Sequence, residues 1–172
     1  MRRFFVVFVV VLAAAVAYRS MGSPETGTGS LTLPGPAPNV GESVPGFTAE
    51  TVDGETFKLS DEGVYVLTFW STLNQGAARA RPGFERLSQE YGDSGASFAA
   101  VYVSNTPELE RDAPYTVLRD PTGKLTSLYN VKHVPRLFLI RNGTVKLVQN
   151  GYYEENERHL RQTLEEVLPE KA

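Results

Sequence analysis

Val64-Tyr65-Val66-Leu67-Thr68-Phe69-Trp70, running directly into Ser71-Thr72-Leu73-Asn74-Gln75-Gly76-Ala77, is the stretch that decides the fold. Its first half is a continuous apolar and β-branched run, the mark of a central strand covered on both faces. Its second half changes character. Asn74 has the side chain of a good helix cap, an oxygen that accepts from a backbone N–H two or three residues on. Beyond it, Phe84, Leu87 and Tyr91 recur at helical spacing and predict an inward apolar stripe. Pro82 falls inside that helix and should kink it. The unit reads as strand, tight turn, helix.

Outward from this unit the punctuation stays that of a compact α/β domain. On the N-terminal side, Phe47–Thr51 and Thr56–Leu59 alternate around Asp53-Gly54, a hairpin turn signal. On the C-terminal side, Ser97–Val103 reads as a second buried strand. Thr106-Pro107-Glu108 opens a short helix with a cap, a proline at the first position and an acid at the positive dipole end. Tyr115–Leu118 is a short strand, Asp120–Gly123 a turn and Lys124–Tyr129 a brief helix. Arg136–Ile140 and Thr144–Val148 flank Asn142-Gly143, the strongest short hairpin signal. Glu154–Leu168 closes the chain as an amphipathic helix, with Leu160, Leu164, Val167 and Leu168 on one face. Asn142-Gly143-Thr144 also matches a glycosylation sequon, but the turn accounts for these residues without a sugar.

Before the domain the chain is of a different kind. Arg2 and Arg3 precede an uninterrupted apolar run, Phe4 to Ala17, followed by Tyr18 and Arg19. This is the pattern of an export signal, and residues 1–19 are expected to act as a signal or membrane anchor. Retention as a single N-terminal anchor, with the domain outside the cytoplasm, is the leading expectation. Cleavage after Ala15-Val16-Ala17 is the alternative. Residues 20–40, rich in Gly, Ser, Pro and Thr, bury little and read as a flexible tether. Residues 41–172 form the domain.

Composition removes whole classes of function. Of 172 residues, 17 are Lys or Arg and 20 are Asp or Glu. Setting aside Arg2, Arg3 and Arg19 leaves 14 basic residues against 20 acidic, a balance of −6. A mildly acidic domain without a basic patch is unsuited to nucleic acid, whose binding rests on neutralised phosphates. There is no cysteine, so disulfides, cysteine-ligated metals and thiol chemistry are unavailable. The two histidines, His133 and His159, lie far apart in sequence, and no metal or cofactor is expected. No triad, paired-carboxylate site or phosphate loop is assembled by the sequence.

Five segments in order carry a resemblance: Gly41-Glu42-Ser43-Val44-Pro45-Gly46-Phe47-Thr48, Val52-Asp53-Gly54 through Leu59-Ser60, Phe69-Trp70-Ser71-Thr72, Tyr129-Asn130-Val131-Lys132-His133-Val134-Pro135, and Phe138-Leu139-Ile140 with Asn142-Gly143. The chain resembles the membrane-anchored thioredoxin-like proteins of the TlpA and ResA type, within the wider redoxin group. The resemblance implies a thioredoxin-like α/β fold, one central mixed β-sheet flanked by helices, with an N-terminal β-hairpin extension. It also implies a cis peptide bond at Pro135. It departs at the centre: Asn74 stands where the family has its attacking cysteine and Ala77 where it has the resolving one.

The vestigial positions Asn74 and Ala77 leave no catalytic residue. In this fold the loop at Pro135 faces the helix start, and the residue before it, Val134, offers its backbone to an extended peptide. The resemblance thus implies a protein- or peptide-binding cleft bounded by Trp70, Asn74, Gln75, His133, Val134, Pro135 and Arg136. The plainer readings are that Asn74 is only a cap, Pro135 only a loop former, Trp70 core and His133 a loop hydrogen-bonder. Three functions stand open: a redox-inactive binding or assembly factor tethered to the membrane; a thiol–disulfide oxidoreductase, which needs cysteines the chain lacks; and a structural subunit of a membrane complex.

Overall fold

In the computed structural model, residues 37–103, 112–151 and 154–169 are described. The element order is β1 (Phe47–Glu50), β2 (Thr56–Leu59), β3 (Val64–Trp70), α1 (Gln75–Tyr91), a 3-10 turn (Gly92–Ser94), β4 (Ala96–Tyr102), β5 (Thr116–Arg119), α2 (Lys124–Leu128), β6 (Arg136–Arg141), β7 (Thr144–Asn150) and α3 (Glu154–Val167). The apolar run Val64–Trp70 is the middle strand of a five-stranded sheet ordered β5-β4-β3-β6-β7. It pairs parallel with β4 and antiparallel with β6, from Val64 opposite Arg141 to Phe69 opposite Arg136. A strand so flanked, with both faces covered, has no solvent side to alternate toward, which is why its sequence does not alternate.

Two apolar layers sit on the sheet. Alternation along β3 sends Val66 and Trp70 to one layer, with Ala77, Ala80, Phe84 and Leu87 of α1 and Leu160 and Leu164 of α3. It sends Leu67 and Phe69 to the other, with Leu125 of α2, Tyr129, Phe138 and the hairpin residues Phe57 and Leu59. The β1–β2 hairpin pairs Phe47 with Leu59 through Glu50 with Thr56 and belongs to the second layer. The signals at Asp53-Gly54 and Asn142-Gly143 both mark turns in the fold, with Gly54, Asn142 and Gly143 at positive φ.

The helix over Gln75–Tyr91 runs through Pro82, which is exposed. Proline removes one N–H from the ladder, yet the helix continues for nine residues beyond it, held by the buried Phe84, Leu87 and Tyr91. α1 and α3 are also tied across their outer edges. Arg86 Nη2 meets both Glu157 carboxylate oxygens at 3.0 and 2.9 Å, Tyr91 Oη donates to Glu165 at 3.0 Å, and Arg161 pairs with Glu90. The short helix expected at Thr106, the N-terminal segment and nearly all of the tether lie outside the described residues. Among the described residues no helix is long and apolar enough to cross a membrane.

Candidate functional site

The chain leaves β3 at Trp70 and enters α1 within four residues. Ser71, buried, organises this turn: its carbonyl accepts from Asn74 N–H at 3.1 Å and its hydroxyl from Leu73 N–H at 3.2 Å. Asn74 is the N-cap in extended geometry (φ −104, ψ 118), and its Oδ1 accepts from Gly76 N–H at 2.7 Å. That is the capping bond expected from the sequence.

The other half of the same carboxamide reaches across to the loop before β6. Asn74 Nδ2 donates to the Val134 carbonyl at 2.8 Å, and the Val134–Pro135 bond is cis. The next carbonyl, of Pro135, accepts from Gly151 N–H at 2.8 Å. Both carbonyls of the pair are therefore engaged from within the chain. Gly76 closes the contact: a Cβ on it would lie 2.9 Å from Asn74 Oδ1 and 3.2 Å from Pro135 Cδ. Only a residue without a side chain lets the first turn of α1 approach Pro135 this closely.

Trp70 is the floor. It is 2% exposed and meets Phe84, Tyr102 and Tyr115 edge-on at 5.1, 5.8 and 5.9 Å between centroids. Beneath Pro135, a cavity of about 30 Å³ lies among Trp70, Phe84, Leu137 and Leu160, room for one or two waters. On the other side of Asn74 a depression of about 110 Å³ opens over Trp70, Ala77, Ala78 and Tyr102. Ala77, 6% exposed, packs into the apolar layer. Leu73, between Thr72 and Asn74 in the turn, is 90% exposed.

The structure brings Trp70, Asn74, Val134 and Pro135 together and places one expected cleft residue, Arg136, elsewhere. Gln75 and His133 are exposed. Arg136 is carried to the other face of the sheet, because strand alternation puts it beside Phe138 and away from Pro135 and Leu137. There its guanidinium lies 5.2 Å over the Phe138 ring and its Nη1 donates to Asn150 Oδ1 at 2.8 Å. Its Nε is buried without a partner among the described residues, and burial pulls the guanidinium below its ordinary pKa. The expectation that Arg136 bounds the cleft is corrected accordingly: its guanidinium lies on the Phe138 side of the sheet. Sequence reasoning missed Gly76, whose role depends on Pro135, 59 residues away, and Leu73, whose exposure no local pattern signals. Among the described residues no group of His, Asp or Glu is arranged to hold a metal.

The fold that carries this site is shared with known proteins. The model of the AhpC/TSA family matches residues 40–148. The chain belongs to the AhpC/TSA family. No curated protein matches it in sequence. A Chlorobium tepidum structure described as a thiol:disulfide interchange protein DsbE superposes with a TM-score of 0.69 at 29% identity, covering 77% of this chain and all of that one. The exposed lipoprotein thioredoxin Etrx1 of Streptococcus pneumoniae (TM-score 0.60, 23% identity, 71% of this chain and 99% of that one) and StoA of Bacillus subtilis (0.59, 18%, 71% and 98%) share the fold. This AhpC/TSA family member is thioredoxin-like and lacks cysteine altogether. At the helix entrance it carries a carboxamide with both ends hydrogen-bonded.

Proposed function

We propose that this chain is a redox-inactive thioredoxin-like domain that binds a protein or peptide without covalent chemistry. It works outside the cytoplasm, tethered to the membrane by its N-terminal segment. The observation that carries the reading is the pair of bonds made by Asn74. A thiolate works at a helix start because the first turn's N–H groups and dipole favour negative charge there. A neutral carboxamide bonded at both ends has no group to ionise and none to attack. The oxidoreductase reading would need two thiols at positions held by Asn74 and Ala77.

What remains is a rim suited to recognition. Leu73, in the turn before α1, presents nearly its whole side chain to solvent, and the Val134 N–H has no partner among the described residues. An exposed apolar side chain and a main-chain donor without a partner among the described residues fit an extended segment, one contact for each. Arg2 and Arg3 before the apolar run Phe4–Ala17 support a cytoplasmic N-terminus and an outer domain. The structural-subunit reading draws on the engagement of both loop carbonyls, which leaves less of the cleft open.

The test is a photo-crosslinker, p-benzoylphenylalanine, in place of Leu73 in living cells, with the same group in place of the exposed Lys146 on β7 as reference. A discrete adduct from position 73 and none from 146 is expected. No adduct from 73, or the same one from both positions, would favour the structural subunit.

A further inference from the structure

Asn74 does more than fill the place of a nucleophile. Its side chain makes two bonds to two different parts of the chain, Gly76 N–H at 2.7 Å on α1 and the Val134 carbonyl at 2.8 Å on the facing loop. We propose that Asn74 is an intramolecular latch. Its amide already bonds the Val134 carbonyl, so a segment pairing with Val134 through both main-chain groups competes with the Asn74 side chain and gains the carbonyl fully only when that side chain turns away. The proposal rests on the binding reading above and names how that site is regulated.

The two bonds are mechanically linked. The carboxamide is rigid and planar, and Oδ1 and Nδ2 sit on one carbon. Rotation that frees the Val134 carbonyl also withdraws Oδ1 from Gly76 N–H, so opening the cleft uncaps α1. Gly76 fits the linkage, because a Cβ there would lie 2.9 Å from Asn74 Oδ1 and 3.2 Å from Pro135 Cδ, so helix and loop approach closely at the latch. In the closed state the loop offers incoming chains the Val134 N–H and a carbonyl already bonded to Asn74. The closed site therefore favours an acceptor, and an extended strand gains an uncontested second hydrogen bond only by breaking the latch.

Separating the two bonds tests this. Asn74→Ser keeps the capping oxygen, since serine and asparagine cap comparably, but is too short and has no amide to reach Val134. Asn74→Asp keeps the cap and places an acceptor against the carbonyl, removing the latch by a second route. In the full-length chain carrying the crosslinker at position 73, both variants should raise adduct yield about fivefold over wild type, the worth of one ordinary hydrogen bond. Gly76 amide exchange should stay protected to within about threefold, as a retained cap requires. In wild type, the Asn74 Nδ2 proton that faces the Val134 carbonyl should exchange as slowly as the Gly76 amide. Unchanged or lower adduct yield with Gly76 still protected would overturn the latch. So would that Asn74 proton exchanging at the rate of a free side chain, whatever the adducts show. If neither wild type nor variant gives an adduct while that Asn74 proton is protected, the latch stands and the binding reading fails.

Discussion

The strand Val64–Trp70 and the seven residues after it, Ser71–Ala77, are contiguous in sequence and obey different rules. In the strand every residue except Tyr65 is buried, and Val66, Leu67 and Phe69 are wholly so. In the turn that follows, Leu73 is 90% exposed and Asn74 half-buried. The strand is specified by packing on both faces, which tolerates little change of volume. The turn is specified by hydrogen bonds to its own backbone and to the Val134 loop. The turn can therefore carry Asn74 and Ala77 while the strand beside it keeps its core, because a cap bond and a cross-loop bond hold the helix entrance in place.

That contrast predicts a graded series. Trp70→Ala removes the aromatic contacts of β3 with Phe84, Tyr102 and Tyr115 and should cost about 3–5 kcal/mol in urea unfolding. A loss under about 1.5 kcal/mol would show that the strand is not held by packing. Gly76→Ala is a sharper case because its sign is informative. In an ordinary helix this change gains up to about 1 kcal/mol. At this position the new Cβ would meet Asn74 Oδ1 and Pro135, and a net loss of about 1–3 kcal/mol is expected. A gain would mean that helix and loop do not touch as described.

Smaller still is Asn74→Ala, which gives up the cap and the Val134 bond together and should cost about 1–2 kcal/mol. Asn74→Ser should recover the capping share. Equal losses in the two variants would break the assignment of separate roles to the two ends of the carboxamide.

The smallest effect is a dependence on alkaline pH. Burial pushes the Tyr129 phenol well above its ordinary value near 10, and burial with the Glu165 hydrogen bond raises Tyr91. Both tyrosines keep their protons to higher pH in the folded chain than in the unfolded one. Their contribution to stability is therefore intact below about pH 10 and lost as pH climbs above it. The urea midpoint should fall between pH 9 and pH 11, and Tyr129→Phe should flatten the fall without abolishing it, since Tyr91 remains. An unaltered slope would contradict the burial of Tyr129.

The scaffold was legible wherever one physical cause dominated. The unbroken run Val64–Trp70 could only be a doubly covered strand, and Asn142-Gly143 and Asp53-Gly54 marked turns through their backbone freedom. The cap at Asn74 was legible for the same reason: Oδ1 bonds a neighbour two residues on. Its second bond was not, because Val134 is sixty residues away and nothing local distinguishes a cap from a cap with a partner. Arg136 was misplaced for a related reason. Its position after Pro135 suggested the cleft, but the pleat decides the face, and the first residue of β6 points opposite to Pro135 and Leu137. Nothing in the sequence around Gly76 signals its role, which comes from the Pro135 loop opposite it.

The central claim is that the scaffold persists at the helix entrance while thiol chemistry has gone, and disulfide reduction by the purified full-length chain tests it most directly. Wild type should turn over insulin disulfides at the rate of buffer alone. Asn74→Cys combined with Ala77→Cys should gain measurable turnover, with the thiol at position 74 titrating below the ordinary value of about 8.5 because it sits at the start of α1. Saturable turnover by wild type that survives repurification would contradict the account.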